Sequence, residues 1–348
     1  MQDLKFGIFD HLDRGSLSIA ELYDQRLQII EQYDQAGFFA YHLAEHHSTP
    51  LGMAPSPSVF LAAVAQRTKN LRFGPLVYLL PLYHPLRLAE EISMLDQLSH
   101  GRLEIGAGRG RSPIELELYG NNAADAQKMF DEAFAVMRLA FFEDRITFTG
   151  QHYNFDNVPV ELHPWQKPHP PLWYGIGSPD SAEQVAKLGF HGVTLAKTAV
   201  AAEIAKRFYD AAAKTAQPDR RMGICRFIVV GETDAEAQRI ADRAYPIWHD
   251  SFFELFRRYD QKPVSSWPAT FAEMAANGLA FAGSARTVTD VLGSQLHVTG
   301  ANYAVGQFVF GDMTSEESAT SIGLFSSEVM PALLRSYGAR RLATTIAG

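Results

Sequence analysis

Residues 71–106 read LRFGPLVYLLPLYHPLRLAEEISMLDQLSHGRLEIG, an apolar run, a helical segment and a second apolar run in succession. Residues 71–80 form a short, nearly continuous apolar run, the pattern of a strand buried on both faces. Residues 85–98 are amphipathic at helical spacing. Pro85 sits in the first turn, where its missing N–H is no loss, and the helix stops before Gly101. Residues 103–106 are apolar again. Working outward, similar runs occur at 4–9, 39–44, 172–176, 192–196, 225–230 and 303–310. Helical segments alternate with them. The first, at 19–36, has the S-x-x-E capping box Ser18/Glu21 and ends at Gly37. Others follow at 57–69 behind Ser56-Pro57, at 126–142, at 179–189 behind Ser178-Pro179, and at 201–216. Two more are opened by Thr233-x-x-Glu236 and Thr314-x-x-Glu317.

Eight strand candidates, each followed by a helix, predict a TIM-type (β/α)8 barrel, with an open doubly wound sheet as the structural alternative. A barrel takes about 250 residues, and the chain has 348. The surplus falls at 112–125, 146–171 and 252–283. These read as insertions in one domain spanning 1–348, because none carries a periodic core of its own. Pro164, Pro168, Pro170 and Pro171 exclude a long helix from the second insertion, where 146–149 and 153–155 can form a small hairpin.

Composition narrows the function classes. Lys and Arg total 31 against 39 Asp and Glu, a formal charge of −8, which argues against non-specific nucleic-acid binding. A hydrophobic share of 47% with 20% charged residues describes a packed globule. The single Cys225 allows no internal disulfide and no cysteine zinc site. It reads as a small buried hydrophobe in strand seven. The start MQDLKFGIFD lacks a basic n-region and an apolar h-region, and no run of about 18 apolar residues could span a membrane. A cytoplasmic location is the expectation.

In a barrel, chemistry belongs at the C-terminal strand ends. Strand two leads into Glu45-His46-His47, strand three into Pro81, Tyr83 and His84, strand four into 106–111 and strand five into 175–181. The glycine turns are not dinucleotide fingerprints, since the third glycine is Arg111 in one and Asp180 in the other. They can still hold a phosphate at a helix N-terminus. Ser178 would be the N-cap, with Ser181 one turn in and Arg109 on the adjacent strand. The plainer reading makes Ser178 a cap and Arg109 an ion-pair partner. Adjacent His46 and His47 on an extended segment face opposite ways and chelate one ion poorly, so no metal is expected. His46 reads as a proton-transfer residue or as a structural loop histidine. Leu76-Val77 reads as core. His163, Trp165 and His169 read as anchors of the 146–171 loop.

Taken together these residues resemble the bacterial luciferase-like flavin monooxygenases. The likeness is densest in Ala44-Glu45-His46-His47, in 80–90 (LPLYHPLRLAE) and in 95–103 (LDQLSHGRL). It continues in Gly106-Ala107-Gly108-Arg109-Gly110, in Pro171-Leu172-Trp173-Tyr174 with Ser178 and Ser181, and in 325–331 (FSSEVMP). The resemblance implies a barrel binding FMN at its C-terminal mouth, with His46 as the active-site histidine. Arg109, Gly177, Ser178 and Ser181 then surround the FMN phosphate, and Leu76-Val77 forms a cis peptide under the flavin ring. It implies reduced FMN and O2 as cosubstrates, a flavin 4a-hydroperoxide, and a small, mostly apolar organic substrate. It also implies a separate flavin reductase, a homodimer through the early helices, and a mobile lid at 252–283. Two rival readings stand on the same barrel: a deazaflavin-dependent oxidoreductase and a non-catalytic flavin-binding subunit. An unrelated barrel hydrolase using His46 as base lacks a nucleophile. The light-emitting relatives carry a reactive cysteine where this chain has Gly108 and an acidic residue where it has Gly177. Both departures point away from light emission.

Overall fold

A computed structural model describes residues 3–215, 220–263 and 266–347, the last nine as backbone only. The strands are β1 Lys5–Asp10, β2 Ala40–Leu43, β3 Arg72–Pro75, β4 Tyr78–Leu79, β5 Ile105–Gly108, β6 Arg145–Thr149, β7 Asn154–Pro159, β8 Leu172–Gly175, β9 His191–Thr194, β10 Met222–Val230, β11 Ala280–Gly283 and β12 Tyr303–Gln307. The helices are α1 Ile19–Gln35, α2 Pro57–Arg67, α3 Pro85–Leu98, α4 Pro113–Leu118, α5 Ala126–Phe142, α6 Pro179–Lys187, α7 Thr198–Ala212, α8 Asp234–Arg258, α9 Phe271–Ala276, α10 Ala285–Thr299, α11 Ser315–Leu324 and α12 Met330–Ala347.

The parallel sheet runs β3-β2-β1-β12-β10-β9-β8-β5-β4, with β11 paired to β10. β3 and β4 are two halves of one apolar run, parted at the cis peptide between Leu76 and Val77. The circle closes where Tyr78 pairs with Ala107 and Phe73 bridges Leu103. The eight expected runs therefore form one barrel, and the open doubly wound sheet is excluded. Capping boxes at Ser18/Glu21 and Thr314/Glu317 fix two helix starts as the sequence indicates. The helix read at 201–216 runs from Thr198 to Ala212, and Ala216 lies outside the described residues.

The surplus segments differ from their sequence reading in a specific way. The 146–171 segment carries the β6–β7 hairpin. The 252–283 segment is not one insertion. Its start completes the 25-residue α8, its middle holds α9, and its end is β11, paired with the C-terminal half of β10 from Phe227 to Val230. Its Val264 and Ser265 lie outside the described residues. The missed strand, Ala280-Phe281-Ala282-Gly283, is four residues with two alanines, too short and small to stand out as an apolar run.

One apolar cluster joins strands to helices around the barrel. A second joins Phe9, Trp173, Val193, Cys225, Tyr303 and Val305 of five strands to Ala44, just past β2, and Leu76, between β3 and β4. Cys225 is buried there, and burial pushes its thiol up to about 12. Among the described residues no helix is long and apolar enough to cross a membrane.

A buried charge pair anchors the end of β1. Arg26 of α1 meets Asp10, and both are almost wholly buried. Tyr41 donates to Asp10 Oδ2 at 2.7 Å and the Leu12 amide to Oδ1 at 2.8 Å. Nearby Asp13 accepts one bond, from the Gly311 amide at 2.7 Å, while its Oδ1 has no partner among the described residues. Burial, opposed by Arg26, raises Asp13 to about 7. A carboxyl raised above its unfolded value favours the fold while protonated, so its contribution is full below about pH 4 and fades as pH rises through about 7. Asp13→Asn is expected to remove this decline, worth roughly 4 kcal/mol in all. Urea unfolding at about pH 5 and about pH 8 checks it, the gap between parent and variant widening at the higher pH.

Candidate active site

Because the barrel strands are parallel, their C-terminal ends share one mouth. β2 delivers Glu45, His46 and His47 there, and their environments separate their roles. Glu45 is fully enclosed. Its Oε1 pairs with His47 Nε2 at 2.8 Å and its Oε2 accepts the Leu79 amide at 2.9 Å. Burial raises its pKa against these bonds. His47 Nδ1 meets the Tyr119 hydroxyl at 2.9 Å, so both of its ring nitrogens are engaged inside the protein. His46 is different: its side chain keeps 27% exposure against 7% for His47. His46 Nδ1 lies 3.2 Å from Glu115 Oε1, an oxygen that also accepts the His47 amide at 2.8 Å. Burial pushes the Glu115 carboxyl up, but His46 and the His47 amide outweigh it and the net shift is downward. An acceptor-only carboxylate on Nδ1 leaves Nε2 as the nitrogen free to exchange a proton.

β5 and β8 build the next part of the mouth, beyond β3 and β4. Ile105 pairs with Leu172 and Gly106 with Trp173, so Arg109 follows β5 beside the turn that follows β8. Ser178 caps α6, accepting the Ser181 amide at 3.3 Å, and the Ser181 hydroxyl donates to the Ser178 carbonyl at 2.8 Å. Arg109 reaches Gln127 at 3.4 Å and has no carboxylate partner among the described residues. Asp180 in the first turn of α6 is answered by Arg207 at 2.6 Å. A Cβ built on Gly175 or Gly177 would meet nothing within 4 Å, so the turn is open. Arg109, Gly177, Ser178 and Ser181 thus stand on adjacent strand ends.

Leu76 and Val77 sit between the two sides. The Leu76 amide donates to the Leu43 carbonyl at 2.7 Å, and β5 passes very close. A Cβ on Gly106 would lie 2.3 Å from the Pro75 carbonyl oxygen, and one on Gly108 2.4 Å from Val77 Cγ2. The glycine at 108 is therefore a packing requirement of this chain. Gly108→Cys is expected to force Val77 aside and cost about 1–3 kcal/mol of stability. A thermal melt checks it, and an unchanged melting temperature would contradict the close approach.

Several neighbours of His46 were not read from the sequence. Glu115 lies in the segment read as surplus, 112–125. There Ser112 caps the short α4 and accepts the Glu115 amide at 3.4 Å, so an S-x-x-E signal was present. His11 follows β1 and stacks on His46, with ring centroids 5.6 Å apart. Strand-end logic applied to the first strand would have named it. Trp248 from α8 packs on His11 at 5.5 Å and joins Phe227, Phe252, Trp267, Phe271 and Phe310 in an aromatic cluster. Nothing local in sequence brings these residues together. Among the described residues no group of three or more His, Cys, Asp or Glu could hold a metal ion.

A closed parallel barrel with these polar groups gathered at one mouth defines a TIM-barrel protein. The chain belongs to the luciferase-like monooxygenase family, whose sequence model matches residues 4–303. It is 38% identical over 330 residues to the protein y4wF of Sinorhizobium fredii (strain NBRC 101917 / NGR234), covering 94% of this chain and 96% of that one. It is 27% identical to the oxygenase component of the flavin-dependent trigonelline monooxygenase of Acinetobacter baylyi (strain ATCC 33305 / BD413 / ADP1), over 98% and 99% of the two chains. Its fold is similar to the monooxygenase RslO1 from Streptomyces bottropensis, with a TM-score of 0.85 and 25% identity over 94% and 99% of the chains.

Proposed function

We propose that this protein is a flavin-dependent monooxygenase that uses reduced FMN and O2 to place one oxygen atom in a small, mostly apolar organic substrate. A separate reductase would deliver the reduced flavin, as the naming of one relative as an oxygenase component suggests. We take the working form to be a cytoplasmic homodimer. The observation that carries the reading is one half-exposed histidine, His46, fixed by a buried carboxylate on the mouth that also presents Arg109 and the α6 N-terminus.

The residues present fit the phosphate of such a cofactor. Arg109 has an uncommitted charge, Ser178 and Ser181 offer hydroxyls, and the first amides of α6 add a positive dipole end. The open side of Gly175 and Gly177 leaves room for a ligand. Leu76 and Val77 would support the flavin ring from the barrel side. When bound, the reduced flavin supplies the electrons that activate O2. The chain's own part is to bind, orient and seal. His46 holds or releases a proton at Nε2, while Glu115 keeps Nδ1 engaged. The aromatic cluster of α8, α9 and the loop carrying Trp267 keeps water from the reacting groups, and we assign the lid role to this segment.

Arg109→Ala is expected to weaken FMN binding about ten- to a hundredfold, the loss of a charge-assisted bond. Fluorescence titration with FMN reads it, and unaltered affinity would remove Arg109 from the phosphate site. Parallel titration with a deazaflavin separates the hydride-transferring alternative. Oxygenated product formed from reduced FMN and O2, which a non-catalytic flavin binder would not yield, separates the other.

A further inference from the structure

We propose that His11 is a positioning residue for His46, a second imidazole whose flat face sets the plane of the His46 ring. The inference rests on the reading of His46 as the proton-exchanging group. The two rings lie with centroids 5.6 Å apart and planes 21° apart. His11 is itself held from several sides. Phe9 packs edge-on at 4.9 Å, Trp248 at 5.5 Å, and Gln307 Nε2 lies 3.0 Å from its Nδ1.

The stack completes a set of constraints that no single contact supplies. The Glu115 bond fixes one edge of the His46 ring. Gly52 closes in behind, since a Cβ there would come within 2.8 Å of His46 Cβ. One hydrogen bond fixes a direction but permits rotation about it, and a stacked face removes that rotation. Edge and face together give Nε2 one position, which proton exchange over hydrogen-bond distance requires. Burial, and then the charges of His46 and Arg26, keep the His11 imidazole well below its ordinary value. His11 therefore stays neutral and does not compete for the proton.

A plain packing role would be filled better by an apolar residue. His11 instead carries a buried polar ring clamped by Gln307, and Gln307 Oε1 has no partner among the described residues. Such a pair is costly in a core, and here it brings a rigid, neutral, planar surface to His46.

The test compares two double variants that both fill the space. His11→Phe with Gln307→Leu keeps a flat face, whereas His11→Leu with Gln307→Leu does not, and neither leaves the amide unpaired. Two readouts are taken. One is the rate at which diethyl pyrocarbonate acylates His46, located by peptide mass. The other is oxygenated product formed per reduced FMN oxidised, with a panel of apolar aldehydes, ketones and aromatics as probes. The Phe variant is expected to match the parent within about twofold in both readouts. The Leu variant is expected to acylate faster and to lose about tenfold or more in product yield, with FMN affinity unchanged. Equal behaviour of the two variants would overturn the proposal. So would loss of product yield in the Phe variant, which would assign the role to a ring nitrogen. Failure of the functional reading is distinguishable, because the parent would then form no oxygenated product from reduced FMN while acylation of His46 still reports on the stack.

Discussion

His46→Ala is expected to lower turnover by about 10²–10⁴-fold, the usual worth of a positioned acid–base group, with flavin affinity within about twofold of the parent. Of the three polar residues after β2, Glu45 and His47 spend their polar atoms on each other, on Leu79 and on Tyr119. Only His46 combines an internal anchor with exposure to the mouth. Removing its ring leaves the β5 and β8 ends untouched, so cofactor binding and turnover should separate. Stopped-flow oxidation of bound reduced FMN, with product quantified, reads both. Product formation at the parent rate would end the assignment of His46.

Arg26→Ala is expected to cost about 3–5 kcal/mol of stability, because it leaves the Asp10 carboxylate buried without its counter-charge. Both partners are almost fully enclosed, and the bonds from Tyr41 and Leu12 position Asp10 without neutralising it. Asp10 closes β1 directly before His11, so the loss should also loosen the His11–His46 stack. Chemical denaturation measures the first effect. A double variant Arg26→Met with Asp10→Leu should recover much of the loss, because an apolar pair of similar volume avoids the stranded charge. A single variant as stable as the parent would contradict the pairing.

The fold was legible because a barrel repeats one simple pattern. Each buried strand is a short apolar run, and helix starts announce themselves at Ser18/Glu21, Ser178-Pro179 and Thr314/Glu317. Legibility failed where the pattern breaks for geometric reasons. The run 71–80 reads as one strand, yet the chain turns at Leu76-Val77 and resumes as β4. β11 is too short to register, so 252–283 reads as a single insertion. At the mouth, His46, Arg109, Gly177, Ser178 and Ser181 follow from counting strand ends. Glu115, Gln307 and Trp248 do not, because they reach His46 or His11 from 69, 296 and 237 residues away respectively. The requirement for glycine at 108 is likewise invisible until Val77 is seen against it.

The proposed function divides O2 between product and water at this mouth, with reduced FMN as the electron source. Its most direct test supplies the protein with reduced FMN, isotope-labelled O2 and a panel of apolar aldehydes, ketones and aromatics, and measures product mass. One labelled oxygen atom is expected in the product of at least one panel member, with loss of that label in His46→Ala. Reduced FMN oxidised with all the oxygen recovered as hydrogen peroxide across the panel would contradict it, as would no oxygen uptake beside tight deazaflavin binding.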